Sequence, residues 1–229
     1  MRIGLLECDD VVGRFPSVAG GYREMFAAIL PDFEFGYYEA HRGQIPASAS
    51  ECDAYIATGS KHAVYEGHPW VEQLCGFLRE LRTAQKPFVG ICFGHQLLAH
   101  ALGGEVAKAS QGWGIGVLPM EVVRHAPWMT PPKMQIRLQH SHQDQVWRLP
   151  PGAVLLGRSP HCEIAMYRVG ETMLGIEGHP EFTTEFGAAL IDMRREKLGA
   201  RLAQSALESL QGPSDGALVG RWIAAFVRR

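Results

Sequence analysis

One cysteine stands where a buried apolar run meets a helix-forming run, in the segment Pro87-Phe-Val-Gly-Ile-Cys-Phe-Gly-His-Gln96. Gly90 and Gly94 flank Cys92 at the spacing of a nucleophile elbow, with cysteine in place of serine. Glycines at these positions let the backbone approach closely in the tight turn that lifts a nucleophile clear of a sheet. The pattern predicts a reactive thiol; the alternative is one more inert, buried cysteine.

The helix expected after Cys92 predicts two further properties of this thiol. Its N-terminal dipole would favour the thiolate and lower the pKa of Cys92 from about 8.5. The backbone N–H of Phe93 would point towards a substrate carbonyl and stabilise an oxyanion there. Both properties are typical of a cysteine hydrolase.

A thiol nucleophile needs a base, and the base needs a third group to orient it. His179 and Glu181 can supply this pair in the segment Leu174-Gly-Ile-Glu-Gly-His-Pro-Glu-Phe182. Pro180 favours an extended conformation at His179, and residues two apart in extended backbone point the same way. The Glu181 carboxylate is therefore expected to reach the imidazole. Taken alone, the same sequence could be a loop with a helix cap.

The elements that must position these residues alternate between short apolar runs and helical patterns. This alternation predicts a mostly parallel sheet with helices on both faces. The predicted strands are Arg2 to Glu7, Phe33 to Tyr38, Asp53 to Thr58 and Pro87 to Cys92. The predicted helices are Tyr22 to Leu30, one that begins near Pro69, and Gln96 to Leu102. Because the carboxyl ends of parallel strands meet at one edge of a sheet, Cys92 and His179 are expected to lie close together.

The middle of the chain departs from this alternation and predicts an antiparallel extension. Its closely spaced strands are Gly114 to Val123, Lys133 to Gln139, Ala153 to Ser159, Glu163 to Val169 and Thr172 to Ile176. Helices are predicted at Thr183 to Leu198 and Ala217 to Val227. We expect a single domain over residues 1–229, with the helices of 183–229 packed on it. The apolar face around Trp222 could instead form a homodimer contact.

Composition excludes several classes of function. Lysine and arginine total 22 against 24 aspartates and glutamates, which leaves no electrostatic footprint for nucleic acid or an anionic membrane. The five cysteines are widely spaced without a CxxC motif, so neither a disulfide framework nor a metal site is expected, and no cofactor is implied. No run approaches the roughly 20 apolar residues that span a bilayer, and no signal peptide is evident. A cytoplasmic protein is expected.

Two segments together resemble the signature blocks of class I glutamine amidotransferases of the triad type. They are Gly90-Ile-Cys-Phe-Gly-His-Gln96 and Gly178-His-Pro-Glu-Phe182. The resemblance runs from Thr58 to Phe182 and is closest to the amidotransferase domain of GMP synthase and its stand-alone relatives. It implies a flavodoxin- or Rossmann-like three-layer α/β/α fold, with a mostly parallel central sheet and an antiparallel strand extension.

The resemblance also implies a role for each matching residue. Cys92 attacks the side-chain amide of glutamine to form a γ-glutamyl thioester, His179 transfers the proton, and Glu181 orients His179. The implied oxyanion hole consists of backbone N–H groups, those of Gly59, Ser60 and Phe93. The implied substrate-binding residues are Gln96, Ser141, His142 and Gln143. For His142 and Asp144, a structural hydrogen bond in a loop is an equal alternative.

This sequence departs from the family pattern at Glu177, where relatives usually carry an uncharged residue such as glutamine. The charge could alter the electrostatics beside His179. The segment Ser60 to Trp70 resembles the stand-alone group more than the biosynthetic subunits, and no synthetase domain follows the triad in this sequence.

Two enzyme functions stay open at the level of sequence. The first is hydrolysis of the γ-glutamyl amide bond of glutamine or of a γ-glutamyl compound by the chain alone. The second is a glutaminase subunit that supplies ammonia to a separate synthetase partner. A non-catalytic binding or regulatory protein ranks below both, because Cys92, His179 and Glu181 are all present. A protease or deglycase of the same superfold also ranks below both, because that branch lacks the late His-Pro-Glu block.

Overall fold

The computed structural model describes residues 1–11, 15 and 20–229. The strands in these ranges are β1 Arg2–Leu6, β2 Glu34–Tyr38, β3 Ala54–Ala57, β4 Phe88–Ile91, β5 Glu105–Lys108, β6 Gly114–Val122, β7 Gln135–His142, β8 Asp144–Arg148, β9 Ala153–Arg158, β10 Met166–Val169 and β11 Met173–Ile176. The helices are α1 Tyr22–Ile29, α2 Pro69–Thr83, α3 Phe93–Ala101, α4 Thr184–Met193, α5 Arg195–Leu198, α6 Ala200–Ser209 and α7 Gly216–Val227.

A nine-stranded sheet lies at the centre, in the order β2-β1-β3-β4-β11-β10-β9-β6-β7. The strands from β2 to β11 are parallel, and those from β11 to β7 are antiparallel. Strands β5 and β8 form a separate antiparallel pair. The predicted α/β fold with an antiparallel extension is confirmed. Its central consequence is that β4 and β11, which precede Cys92 and His179, are direct neighbours.

The strand residues alternate between two cores, as the period of two in a strand requires. In β3, Ala54 and Ile56 face one core, and Tyr55 and Ala57 face the other. The first core contains apolar side chains of α1, α4 and α7, and the second contains those of α2 and α3. Helices therefore cover both faces. Trp222 is 1% exposed and lies in the first core.

The structure differs from the sequence predictions in three places. Strands β5 and β8 were not predicted, because the exposed pattern of Glu105–Lys108 shows no apolar alternation. Strand β7 continues through His142, so the segment expected as a loop consists of two strand ends with Gln143 between them. The single helix predicted from Thr183 to Leu198 is two helices in the structure. The first, α4, ends at Met193, and the second, α5, begins after Arg194. No helix in the described ranges is long and apolar enough to cross a membrane.

Candidate active site

Cys92 occupies a strained turn between β4 and α3. Its backbone has φ 50° and ψ −101°, in the positive-φ region that non-glycine residues rarely adopt. A Cβ at Gly90 would lie 2.2 Å from the carbonyl oxygen of Gly94, and one at Gly94 would lie 2.5 Å from the oxygen of Ala57. Both flanking glycines are thus required for the close approach of α3 to β4 and β3. The predicted elbow is present.

The pairing of β4 with β11 brings the two candidate segments together. Ile91 is opposite Ile176 in parallel register, and the N–H of Cys92 donates to the oxygen of Ile176 at 2.9 Å. The chain then continues from β11 to His179, whose N–H donates to the oxygen of Gln139 at 2.7 Å. Cys92 and His179 line the same narrow cleft. The predicted convergence at the carboxyl edge of the sheet is confirmed.

The imidazole of His179 is held on three sides. Its Nδ1 lies 2.7 Å from Oε1 of Glu181, and both side chains are almost completely buried. Phe182 stacks on the ring with centroids 3.7 Å apart and planes 11° apart. The opposite edge of the ring, with Cε1 and Nε2, faces Gly59: a Cβ there would lie 2.9 Å from Cε1 and 3.7 Å from Nε2. Because Nδ1 is occupied by Glu181, Nε2 is the nitrogen left for proton transfer.

The turn after β3 is held in place by side chains on its neighbours. The Thr58 hydroxyl accepts from the N–H of Cys8 at 3.0 Å and donates to the oxygen of Gly59 at 3.0 Å. Asp9 accepts from the N–H of Lys61 at 3.0 Å. These bonds fix the backbone on both sides of Ser60.

The three residues of the expected oxyanion hole each line a space that Cys92 also lines. Gly59 and Ser60 line the narrow cleft with Cys92, and in the described ranges their N–H groups donate to no protein acceptor. The N–H of Phe93 interacts with the Cys92 sulfur. N–H groups arranged in this way can stabilise a developing negative charge beside the sulfur.

A larger cavity of about 340 Å³ opens beside this cleft, near the lower end of the roughly 300–1,000 Å³ that is usual for small-molecule sites. Cys92, Phe93 and Ser60 form its inner wall. All four residues expected to contact substrate line it as well: Gln96, Ser141, His142 and Gln143.

Three of these four side chains also bond within the protein, and the Ser141 hydroxyl accepts from Arg194. Gln96 donates from Nε2 to the oxygen of Asp144 at 2.9 Å. His142 places Nδ1 3.1 Å from the same oxygen and Nε2 3.1 Å from Nδ1 of His140. The structural alternative for His142 is therefore present, between two strands rather than in a loop. Gln96 and His142 shape the cavity wall.

Glu177 lies close enough to Cys92 to act on the charge of its thiol. The residue is completely buried. Its Oε1 accepts from Nε2 of Gln96 at 2.9 Å, and Oε2 lies 3.3 Å from Nε2 of His95 without the alignment of a hydrogen bond. Burial raises the pKa of Glu177 well above its usual value, and the Gln96 hydrogen bond offsets this only in part. Glu177 is therefore held as the neutral acid over part of the ordinary pH range.

The pKa of Cys92 is also raised, which contradicts the lowering expected from the helix N-terminus. Burial of the thiol is the main cause, and the negative charge of Glu177 is the next. Arg194 and the N–H of Phe93 act in the opposite direction but do not outweigh them. The sequence located the helix N-terminus correctly but did not indicate the depth of burial. The resting side chain is a thiol.

Arg194 is a site residue that the sequence patterns did not indicate. It lies at the break between α4 and α5 and lines both the cleft and the cavity. Its Nη1 donates to the oxygen of Ser141 at 2.9 Å and also to the Ser141 hydroxyl. Its guanidinium lies 4.9 Å from the ring centroid of Trp113. A single arginine within a predicted helix carries no local signal of such a position.

The family model for glutamine amidotransferase class-I matches residues 38–195. Gamma-glutamyl peptidase 4 of Arabidopsis thaliana is 31% identical over 202 residues, which cover 83% of this chain and 78% of that protein. A subunit of the glutamine-hydrolyzing GMP synthase of Archaeoglobus fulgidus is 36% identical over 116 residues, 50% of this chain and 61% of that one. The crystal structure of a glutamine amidotransferase from Thermotoga maritima shares the fold, with a TM-score of 0.82, 20% identity, and coverage of 100% of this chain and 99% of that one. The chain therefore belongs to the class-I glutamine amidotransferase family and is a glutamine amidotransferase-like amide hydrolase.

Proposed function

We propose that this chain hydrolyses the γ-glutamyl amide bond of a γ-glutamyl compound through a γ-glutamyl thioester on Cys92. His179 acts as the general acid and base, and Glu181 orients it. The observation that carries the proposal is the strained Cys92 at the end of β4, directly beside the strand that leads to the His179–Glu181 pair at 2.7 Å.

In the proposed acylation step, the Cys92 sulfur attacks the γ-carbonyl carbon while its proton passes to Nε2 of His179. Because the resting thiol has a raised pKa, proton transfer accompanies the attack instead of preceding it. Glu181 holds Nδ1 and stabilises the imidazolium that forms. His179 then gives the proton to the leaving nitrogen, the C–N bond breaks, and the γ-glutamyl group stays on sulfur as a thioester.

Water completes the proposed cycle. His179 takes a proton from water, and the oxygen attacks the thioester carbonyl. The C–S bond then breaks, the proton returns to sulfur, and a free γ-carboxyl group is released. In both steps the N–H groups of Gly59, Ser60 and Phe93 would hold the oxyanion, a contribution of about 3–4 kcal/mol for one such donor.

The walls of the cavity support a leaving group larger than ammonia. Three cationic side chains line it, Lys108, Arg194 and Lys197, against two carboxylates, Glu66 and Asp144. A peptide amine ends in a carboxylate that such cations attract, whereas ammonia needs neither the volume nor the charge. The likeness to a γ-glutamyl peptidase supports the same choice. We therefore propose a γ-glutamyl peptide as the preferred substrate class.

A second function is supported by the likeness to part of a GMP synthase. In that case the chain would hydrolyse glutamine and deliver ammonia to a synthetase on another polypeptide. The Cys92 chemistry would be unchanged, and only the leaving group and its fate would differ.

Steady-state kinetics of the purified full chain distinguish the two functions. We expect kcat/KM for γ-glutamyl dipeptides to exceed that for glutamine, and an α-glutamyl dipeptide, with the same atoms in a different linkage, to remain intact. Glutamine hydrolysis that appears only on addition of a synthetase, with γ-glutamyl peptides untouched, would overturn the peptidase proposal. Hydrolysis of neither compound, both with and without a synthetase, would overturn both functions.

A further inference from the structure

The loop that follows the oxyanion turn brings together three side chains with metal-ligating atoms. Nδ1 of His62 lies 3.0 Å from Oε2 of Glu66. Nε2 of His68 lies 3.0 Å from the same oxygen and 3.1 Å from Nδ1 of His62. The three atoms thus form a nearly equilateral triangle at the mouth of the cavity, where His62 and Glu66 are wall residues.

This triangle has close to the dimensions of one face of a zinc coordination tetrahedron. Zinc–nitrogen and zinc–oxygen bonds of 2.0–2.2 Å at tetrahedral angles place ligand atoms about 3.3 Å apart. An outward movement of about 0.3 Å per edge would therefore admit the ion. Two imidazoles and one carboxylate, with the fourth position open, form a ligand set that zinc uses.

The three groups contact one another at hydrogen-bond distance. Both imidazoles approach the oxygen Oε2 of Glu66, which can accept from both. If both donate to it, their two N–H groups face each other at 3.1 Å, an unfavourable contact that a metal ion would remove. A divalent cation would instead accept all three lone pairs at once.

The rings around the triangle connect it with the catalytic elbow. Trp70 stacks on His68, with centroids 6.2 Å apart and planes 20° apart, and meets His62 edge-on at 6.1 Å. The Trp70 ring also lies 5.4 Å from the Phe93 ring, centroid to centroid. The N–H of His62 donates to the Ser60 hydroxyl at 3.2 Å. Both Phe93 and Ser60 contribute proposed oxyanion donors.

We propose that His62, Glu66 and His68 form a binding site for one divalent transition-metal ion of the zinc class, and that the bound ion braces the loop between the oxyanion turn and Trp70. The ion would leave one coordination position for water. Cysteine spacing gave no indication of this site, because its ligands are imidazole and carboxylate groups. The site is separate from Cys92, and its occupancy does not depend on the proposed hydrolysis.

The test uses the full-length Cys92→Ala chain after dialysis against a chelator, so that the thiol cannot compete for metal. Zn²⁺ is titrated by calorimetry, and Co²⁺ is followed by its visible absorption and by quenching of tryptophan fluorescence. We expect one ion per chain and a rise in Tm with Zn²⁺, as binding to the folded state requires.

Three further variants on this background locate the ion. The double substitution H62A/H68A is expected to weaken Zn²⁺ binding at least about 100-fold. Glu66→Gln should also weaken Zn²⁺ binding, while the uncharged glutamine side chain can still hydrogen-bond within the loop. His125→Ala removes an exposed histidine elsewhere and should change nothing. Equal Zn²⁺ affinity in the Cys92→Ala chain and in both loop variants would overturn the proposal, as would the absence of stoichiometric binding. If H62A/H68A does not fold, Glu66→Gln alone tests the proposal, and a Zn²⁺ affinity equal to that of the Cys92→Ala chain would overturn it.

Discussion

Gln96 donates from Nε2 to Oε1 of Glu177 across 2.9 Å, in a completely enclosed position next to Cys92. The contact follows from the sheet register, because the residue after Ile176 in β11 comes to lie beside the residue after Ile91 in β4. An amide donor can bond the carbonyl oxygen of a neutral acid, although this hydrogen bond favours the carboxylate and lowers the pKa of Glu177 in part. A protonated Glu177 can therefore accept this hydrogen bond as an uncharged side chain would.

The first prediction concerns the effect of Glu177 on stability. Its pKa is raised in the folded chain, so its contribution to stability is fully present below the unfolded pKa of about 4.3. The contribution is lost as pH rises through the folded value. The free energy of unfolding of wild type should therefore fall relative to Glu177→Gln as pH increases above about 4.3. Urea unfolding across this pH range measures the difference, with the exposed Glu34→Gln as the control. Parallel pH curves for wild type and Glu177→Gln would refute the assignment.

The second prediction concerns the ionisation of Cys92. An ionised Glu177 raises the pKa of this thiol and Arg194 lowers it, so removal of each charge should shift it in opposite directions. Alkylation of Cys92 should move to lower pH in Glu177→Gln and to higher pH in Arg194→Gln. The measurement is the rate of iodoacetamide labelling against pH, read at the Cys92 peptide by mass spectrometry. Shifts of the same sign in the two variants would contradict the charge arrangement.

The third prediction separates the orienting carboxylate from the base. Glu181→Gln keeps the size of the side chain but can present an N–H to Nδ1 of His179 and favour the wrong tautomer. We expect kcat for a γ-glutamyl peptide to fall by about 10²–10⁴-fold, and to fall further in His179→Ala. An equal rate for Glu181→Gln and wild type would show that the 2.7 Å contact has no role in proton transfer.

The fourth prediction tests the packing of the elbow. Gly90→Ala places a methyl group 2.2 Å from a backbone oxygen that cannot move independently, and should destabilise the chain by about 3 kcal/mol or more. Gly76→Ala is the matched control, because no atom lies within 4 Å of its added Cβ. In the interior of α2 it should stabilise by about 0.5–1 kcal/mol. Similar midpoints of denaturant unfolding in the two variants would count against the close approach of α3.

Much of the fold and the core of the candidate site could be predicted because their signals are local. The elbow needs two glycines at fixed spacing around Cys92, and the His179–Glu181 contact follows from the conformation that Pro180 imposes. The apolar strands of the sheet are also visible in short windows. The edge pair β5 and β8 was missed because its stability depends on pairing between segments about forty residues apart, which no single window of sequence displays.

The features that escaped prediction depend on depth and on long-range register. The pKa of Cys92 is controlled by burial, which a strand–helix junction does not indicate. The effect of Glu177 on Cys92 was not predicted, because it depends on the β4–β11 register. Arg194 reaches the cavity only because the helix breaks at Met193. These features depend on burial and strand pairing in the folded chain, which no local sequence pattern displays.

The central claim is that Cys92 carries a γ-glutamyl group during turnover, and intact mass spectrometry tests it most directly. The wild-type chain is mixed with a γ-glutamyl peptide and quenched in acid during turnover. We predict an added mass of one γ-glutamyl group that maps to Cys92, is released by hydroxylamine and is absent in Cys92→Ala. The single variant Cys92→Ala should retain the wild-type fold and lose at least about 10⁴-fold in kcat. An adduct on another residue, or hydrolysis by Cys92→Ala at the wild-type rate, would contradict the account.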